Sequence, residues 1–361
     1  MASRSPATPS ASAAGLSLDH VATFPGLRAL AWSGDVLYAS RGYSLMRATM
    51  SAPVVEWERV GVYSPVWWRN LSCAFRPTFR LFRDGFHALA VLSSGHLVAA
   101  VPGAIITLRP REKQFQISHR VLRGTRPLHI AVAPDDQVFW GEYFDNPGRD
   151  EVHIYSSTDR GATWNVVYTF PQGAIRHVHN IVYDAWQDCL WVLTGDNGAE
   201  CRILRASCDF KNVAAVLAGN QQARAVALVP TKDGLYFSSD TPFETNYVYC
   251  LDRRGTLTEV TGVNGSSIFG CGVGEAMFFS TMVEPSAVNL DPHVGVYGSR
   301  DGRQWQKMLS WKKDIWPMRL FQYGNAILPD GRNTSGLLAV TTIAVDNADC
   351  ETGIWRVTSG A

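Results

Sequence analysis

The stretch VHNIVYDAWQDCLWVLTGD, residues 178–196, contains the pattern that predicts the fold. Two apolar runs, rich in Val, Ile, Leu and Trp, flank a polar turn, and the second run ends on Gly195 and Asp196. Short apolar runs that are separated by turn residues are typical of β-strands rather than of helices. This stretch therefore predicts two antiparallel strands joined by a tight turn.

The same strand–turn–strand unit recurs along the chain at intervals of roughly 40 to 60 residues, a spacing typical of repeat folds. The units begin at Leu27, Phe86, Leu128, Val178, Ala223, Ile268 and Phe321. Because each interval has room for four strands, we predict an all-β protein, a seven-bladed β-propeller of four-stranded antiparallel blades. It is expected to span residues 16–361 behind a disordered leader, residues 1–15, and to close by pairing residues 16–24 with residues 353–359. Residues 65–85 are expected to form a long loop.

Composition excludes several classes of function. Hydrophobic residues make up 46% of the chain and the formal net charge is +1, so neither nucleic acid nor a membrane is an expected partner. There is no Gly-rich phosphate loop, and we expect no nucleotide or organic cofactor. The leader lacks the apolar segment of a signal peptide, and the seven cysteines have no C-x-x-C spacing. These two features favour a cytoplasmic location.

Two segments carry a family resemblance. SSTDRGATW, residues 156–164, matches the Asp-box pattern Ser-x-Asp-x-Gly-x-Thr-Trp, and SRDGRQW, residues 299–305, is a shorter match. The chain thereby resembles the BNR or Asp-box repeat proteins, which include sialidases and several propeller glycan lyases. Asp boxes are structural turns in that group, so the resemblance implies structural roles for Asp159 and Asp301. FRPTFR, residues 75–80, is not the Arg-Ile-Pro signature of sialidases, which disfavours sialidase activity.

Strand direction turns the repeat into a candidate site. In a propeller, the first strand of each blade starts at the face to which the second strand returns, so starts and ends converge at one mouth of the channel. The second residues of the units are Arg28, His87, His129, His179, Arg224, Phe269 and Gln322. The ends of the second strands contribute Arg41, Glu142, Asp196, Asp240 and Glu284. His177 lies outside the aligned position and is expected to point away, into blade packing.

Two chemical interpretations of this polar ring remain open, beside a third in which it merely lines a wet channel. In the first, His87, His129 and His179 bind Mn²⁺, Zn²⁺ or Fe²⁺, and Glu142 or Asp196 completes the shell. In the second, the site is free of metal, and the histidines transfer protons while arginines pair with a substrate carboxylate. Catalytic candidates are His129, His179 and Tyr247. Substrate-binding candidates are Arg28, Arg41, Gln222, Arg224, Asp240, Asn246, Glu284 and Arg319.

The mixture of His, Arg and acidic residues is similar in kind to that of propeller polysaccharide lyases that act on uronic acids. In those enzymes a cation or Arg neutralises the carboxylate, and His or Tyr removes the adjacent proton. The resemblance implies a lyase or glycosidase acting on uronate-containing oligosaccharides or polysaccharides. The alternative is a non-catalytic propeller that binds glycan or protein partners, for example in polysaccharide assembly, because a fold alone does not imply catalysis.

Overall fold

A computed structural model describes residues 15–359 of the chain. Within that range the strands form seven sheets, six of four strands and one of five. Sheets that are consecutive in the chain pack against each other through their first strands, which surround a central channel. The structure confirms the predicted seven-bladed β-propeller. The predicted leader, apart from Gly15, lies outside the described residues.

Each of the first four blades is formed from four consecutive strands, after an initial strand β1 (Ser17–Pro25) that belongs to the last blade. Blade 1 contains β2 (Arg28–Gly34), β3 (Val36–Arg41), β4 (Ser44–Thr49) and β5 (Glu58–Val62). Blade 2 contains β6 (Ala88–Val91), β7 (Leu97–Val101), β8 (Ala104–Leu108) and β9 (Gln116–Arg120). Blade 3 contains β10 (Ala131–Val132), β11 (Val138–Gly141), β12 (Val152–Ser157) and β13 (Asn165–Phe170). Blade 4 contains β14 (His177–Asp184), β15 (Cys189–Gly195), β16 (Arg202–Ala206) and β17 (Val213–Ala218).

The remaining strands complete the ring. Blade 5 contains β18 (Ala225–Pro230), β19 (Gly234–Ser239), β20 (Asn246–Asp252) and β21 (Leu257–Val263). Blade 6 contains β22 (Ser267–Val273), β23 (Ala276–Thr281), β24 (His293–Ser299) and β25 (Gln306–Lys312). The last strands are β26 (Asn325–Ile327), β27 (Asp330–Asn333), β28 (Leu337–Ile343) and β29 (Glu351–Thr358). Three 3-10 turns, Pro134–Asp136, Gly198–Glu200 and Gln221–Ala223, connect strands.

Ring closure joins the two ends of the chain within blade 7. That blade has the strand order β26, β28, β29, β1, so the first strand of the chain is the outermost strand of the last blade. The β1–β29 ladder runs from Ser17 opposite Thr358 to Pro25 opposite Glu351. The remaining strand of this region, β27, pairs in parallel with β2 of blade 1. The predicted closure is thus confirmed, and β27 adds a second link between blades 7 and 1.

The hydrophobic core lies between adjacent blades. Phe139 and Ile154 of blade 3, for example, pack with Leu190 and Val192 of blade 4, and all four side chains are fully buried. Strands that are covered on both faces need apolar residues on both, which explains why the sequence shows continuous apolar runs rather than strict alternation. Burial between blades holds the start of each first strand in place around the channel.

The turn at residues 156–164 has the structural role that the sequence suggested. The Asp159 carboxylate accepts hydrogen bonds from the Thr163 backbone N–H at 2.9 Å and from the Ser157 hydroxyl at 2.8 Å. Gly161 has φ +82°, and a Cβ there would meet Val98 of the neighbouring blade at 2.6 Å, so glycine is required. Trp164 donates its indole N–H to Ser118 of the same neighbour at 3.0 Å. The turn therefore joins two blades.

Residues 65–85 are largely helical, which corrects the expectation of a long loop. They contain α1 (Trp67–Ser72) and α2 (Arg76–Phe82), and a third short helix, α3 (Met318–Phe321), packs against α2. Arg80 of α2 is fully buried and donates to the Phe321 carbonyl at 2.9 Å, and it also pairs with Asp314 and Asp349. Blade 7 thus holds the insertion against the channel mouth. No helix within residues 15–359 is both long and apolar enough to cross a membrane.

Candidate functional site

The central channel widens at one end into a cavity of about 750 Å³. This size lies within the range of about 300–1,000 Å³ that is usual for small-molecule sites. Each of the seven residues that the repeat aligned lines this cavity, one from the start of every blade: Arg28, His87, His129, His179, Arg224, Phe269 and Gln322. The common strand direction of the blades therefore brings together residues that are far apart in the sequence.

The predicted strand-end residues divide into two groups. Asp196, Asp240 and Glu284 line the cavity. Glu142 does not, because its carboxylate pairs with Arg123 at 3.0 Å and accepts the backbone N–H of His153 at 2.8 Å, within its own part of blade 3. Arg41 is exposed at the end of β3 and also lies outside the cavity lining. A residue that ends a strand can turn to either side, and here local partners decide the direction.

Four other predicted residues lie away from the cavity. Asn246 and Tyr247 begin β20, the third strand of its blade, so the two inner strands stand between them and the channel. The Asn246 amide is engaged in its own turn, where its oxygen accepts from the Thr241 backbone at 2.9 Å. Gln222 lies in a 3-10 turn, and Arg319 is exposed on α3. The structure does not bring these side chains to the histidines.

His177 lines the cavity beside His179, which corrects the expectation that it packs inside the blade. Its Nε2 lies 3.1 Å from Nε2 of His179. Residues two apart on a strand project to the same side, and the ladder between β14 and β15 also has a bulge between Val178 and Asn180. A bulge bends the strand locally. Both imidazoles consequently face Asp196.

The two imidazoles have the same hydrogen-bonding arrangement. Nδ1 of His177 lies 3.0 Å from the Phe144 carbonyl oxygen, and Nδ1 of His179 lies 2.9 Å from the Ala225 carbonyl oxygen. A carbonyl oxygen can only accept, so each Nδ1 carries the proton and donates. In the neutral rings both Nε2 atoms therefore have free lone pairs, and both face the Asp196 carboxylate, at 3.6 Å from His177 and 3.3 Å from His179.

Asp196 is the most strongly ionised carboxylate of the cavity. Although burial alone raises its pKa, hydrogen bonds that the protonated forms of His177 and His179 would donate to it hold the pKa far below its usual range. Two guanidinium groups add to this, since Arg176 lies 3.1 Å and Arg224 3.4 Å from the carboxylate oxygens. Burial lowers the pKa of His179 and outweighs the effect of Asp196. The carboxylate is thus ionised and the imidazole neutral at physiological pH.

Asp240 has the opposite character. Its side chain is buried, and burial raises its pKa to about 7, with further contributions from the negative charges of Glu284 and Asp196. Arg224 lies 3.6 Å away and compensates only in part. Burial also raises the pKa of Glu284. Asp196 and Asp240, which both contact Arg224, therefore differ in protonation. Such a difference between neighbouring carboxylates is typical of acid and base pairs in enzymes.

The part of the cavity wall formed at the entries to blades 1, 2 and 3 is cationic. Arg28, Arg83 and Arg126 line it, and the Nε atoms of Arg28 and Arg126 are buried without a hydrogen-bond partner among residues 15–359. Burial lowers the pKa of Arg126 to about 9, and the charges of Arg28 and Arg83 add to the effect. Burial also lowers the pKa of Arg28 to about 10, and that of His87 well below its usual value. Such a cluster is unfavourable unless an anion neutralises it.

Several cavity residues were missed in the sequence, namely Arg83, Arg126, Tyr143 and Arg176, whereas His177 was considered and wrongly expected to point away. Two of them had a detectable signal. Arg126 precedes His129 by three residues in RPLH, and Arg176 precedes His179 by the same distance in RHVH. A repeated R-x-x-H at adjacent blade entries could therefore have identified both arginines. The ring centroid of Tyr143 lies 4.3 Å from that of His177. No comparable motif marks Tyr143, and the sequence favoured its neighbour Glu142 as the residue at this strand end.

Comparisons with known proteins support the fold and leave the activity open. No protein-family model and no curated protein matches the chain. Among solved structures 933 chains match, so the architecture is too common to indicate one activity. One of them, from a crystal structure of a mitotic checkpoint complex, has a TM-score of 0.57 at 10% sequence identity, with 93% of this chain and 94% of that chain covered. At this identity the similarity shows the propeller fold alone.

Proposed function

We propose that the protein is an enzyme that cleaves uronate-containing oligosaccharides or polysaccharides in the central cavity. The observation that carries the proposal is a group of three arginines, Arg28, Arg83 and Arg126, that lines the same cavity as the histidine and carboxylate groups. Within residues 15–359 the Nε atoms of Arg28 and Arg126 are buried without a hydrogen-bond partner. The similarity of the polar ring to that of propeller polysaccharide lyases points to the same substrate class. A bound sugar carboxylate would neutralise the repulsion among these arginines.

The substrate carboxylate would bind to Arg28 and Arg126. Guanidinium groups form charge-assisted, often bidentate hydrogen bonds with carboxylates, and the free Nε atoms supply donors. Arg83, at the C-terminal end of α2, is the third cation of this wall, and its side chain is exposed to solvent. In an elimination reaction this wall would also stabilise the negative charge that develops when the proton beside the carboxylate is removed.

The part of the cavity wall formed by blades 4 and 5 has groups for both proton transfers of an elimination. His177 and His179 present unprotonated Nε2 atoms, so this wall has acceptors for the proton beside the carboxylate. Asp240, with a pKa raised to about 7 by burial, is partly protonated at neutral pH and would protonate the departing glycosidic oxygen. In a hydrolysis Asp240 would keep this role, and ionised Asp196 would activate water.

The assay is a screen of the purified full chain against oligomers of glucuronate, galacturonate and mannuronate. An elimination gives an unsaturated product with ultraviolet absorbance, whereas hydrolysis gives new reducing ends without it. Loss of one charge-assisted contact costs about 1.5–3 kcal/mol, so Arg126→Gln and Arg28→Gln should each weaken substrate binding by between about 10-fold and 150-fold. Arg254→Gln, the same change at an exposed position of blade 5, is the matched control.

The outcomes separate the alternatives. An ultraviolet-absorbing product whose formation is weakened by Arg28→Gln and Arg126→Gln establishes a lyase. New reducing ends without that absorbance establish a glycosidase. Binding of uronate oligomers without any product would instead favour the non-catalytic propeller, in which the same arginines retain an acidic glycan. The proposal is wrong if none of these oligomers binds. A cytoplasmic location remains a proposal too, supported by seven unpaired cysteines.

A further inference from the structure

The contacts of His177, His179 and Asp196 place three electron-pair donors together without a proton donor among them. Both Nδ1 atoms donate to backbone carbonyls, so both Nε2 atoms present lone pairs. These lone pairs face each other at 3.1 Å, and the Asp196 carboxylate faces both. Lone pairs at this distance repel each other, and a cation bound between them would remove the repulsion. Metal ligands have this arrangement before the ion binds.

The spacing of the three groups fits a small ion. The Nε2 atoms are 3.1 Å apart, Nε2 of His179 is 3.3 Å from Oδ1 of Asp196, and Nε2 of His177 is 3.6 Å from Oδ2. In a tetrahedral zinc site with bonds of about 2.0–2.1 Å, neighbouring ligand atoms lie about 3.3 Å apart. We propose that His177, His179 and Asp196 bind one divalent transition-metal ion, with Zn²⁺ the best match.

The surroundings of the three residues are those of a prepared site. Each imidazole is held by a backbone carbonyl at its other nitrogen, and Asp196 is held by Arg176 and Arg224. Outer partners of this kind fix the orientation of metal ligands and the tautomer of ligating histidines. All three residues also line the central cavity, so a fourth coordination position would face a bound molecule.

The set differs from the one that the sequence suggested. Nε2 of His87 lies 2.6 Å from the Arg83 carbonyl and Nδ1 of His129 lies 3.0 Å from Asp330, and neither residue belongs to the group of close ligand atoms. Among residues 15–359, only His177, His179 and Asp196 form a group of three or more His, Cys, Asp or Glu whose ligand atoms all lie within 4.8 Å of one another. Two nitrogens and one carboxylate suit Zn²⁺ better than Ca²⁺, which prefers oxygen ligands.

The inference goes beyond the proposed function and does not depend on it, because metal uptake is measurable without carbohydrate. A bound divalent ion would supply a Lewis acid to an oxygen atom in the cavity. The Nε2 atoms of both imidazoles would then be occupied, so in the metal-loaded protein a different group would have to accept the substrate proton.

The experiment is a titration of the full chain, stripped of metal by a chelator that is then removed. Calorimetry with ZnCl₂ and the absorption spectrum with CoCl₂ report stoichiometry and coordination. We expect one ion per chain, and a four-coordinate cobalt spectrum without the charge-transfer band of a thiolate ligand. His177→Gln and Asp196→Asn should each weaken Zn²⁺ binding by more than about 100-fold. This exceeds the loss of affinity of about 10-fold to 100-fold that follows removal of a residue that only orients a ligand.

His129→Gln is the matched control, since His129 lines the same cavity but belongs to a different pair. It should bind Zn²⁺ like the wild type. Thermal unfolding of the metal-free proteins identifies any variant that fails to fold, and His179→Gln replaces such a variant. Equal Zn²⁺ affinity in the wild type and in the folded His177→Gln protein would overturn the proposal in favour of a proton shared by the two rings. Loss of binding in His129→Gln would overturn the ligand set.

Discussion

Asp240 makes the stability of the propeller depend on pH in a direction that can be calculated. Burial raises its pKa to about 7, whereas an Asp in an unfolded chain has a pKa of about 3.9. The folded state therefore holds a proton that the unfolded state releases. The contribution of Asp240 to stability is fully present below about pH 3.9 and is lost as the pH rises through about 7.

The magnitude follows from the same two values. Between pH 5 and pH 7 each pH unit removes about 1.4 kcal/mol, so the loss from pH 5 to pH 8 is about 3 kcal/mol. Asp240→Asn keeps the shape of the side chain and removes its ionisation, and it should abolish this part of the pH dependence. With an unfolding entropy of about 2.1 cal/mol/K per residue, a chain of 361 residues should show a difference of about 4 °C in melting temperature.

The assay is thermal unfolding of the wild type and Asp240→Asn, followed by circular dichroism at several values between pH 5 and pH 8. The wild type should lose about 4 °C more than the variant over this interval. Asp135→Asn changes an exposed Asp of blade 3 in the same way and should behave like the wild type. Contributions of groups that do not interact with Asp240 are common to all three proteins and cancel. Parallel pH profiles for the wild type and Asp240→Asn would refute the argument.

Three further predictions concern the scaffold. Arg80→Ala removes a buried guanidinium that pairs with Asp314 and anchors the helical insertion; it should cost about 3–5 kcal/mol, measured by urea unfolding, and a cost below about 1 kcal/mol would contradict the anchoring role. Gly302 has φ +70°, and Gly302→Ala places a methyl group against the Tyr236 phenol. The change should lower the free energy of unfolding by about 1–3 kcal/mol, and adding Tyr236→Phe should recover part of that loss. Asp159→Ala should lower stability by about 1–2 kcal/mol and leave the proposed activity on uronate oligomers unchanged, whereas loss of that activity in a folded variant would show that the turn at residues 156–164 has more than a structural role.

The repeat in the sequence was sufficient to predict the fold and a large part of the cavity wall. The apolar runs mark where each first strand starts, and because every blade runs in the same direction, residues at equivalent positions meet at one mouth. Arg28, His129 and Arg224 illustrate this, since they come from distant units and line one cavity. These positions depend only on strand direction and blade order, and the repeated apolar runs predict both.

The identity of the interacting groups was decided by the tertiary structure. Strand alternation places His177 and His179 on one side, but only the folded ring brings Phe144 and Ala225 to their Nδ1 atoms and thereby sets the free nitrogens. Glu142 ends a strand as Asp196 does, yet a neighbouring arginine pairs with it away from the channel.

The cationic wall has the same origin. Arg83 comes from the end of a helix and Arg126 from a connection between blades, and neither position belongs to the repeated strand pair. The sequence determines where strands begin, because that information is periodic and local. Which polar groups pair, and which stay without a partner inside the cavity, depends on loops from different blades that meet only after the ring has closed.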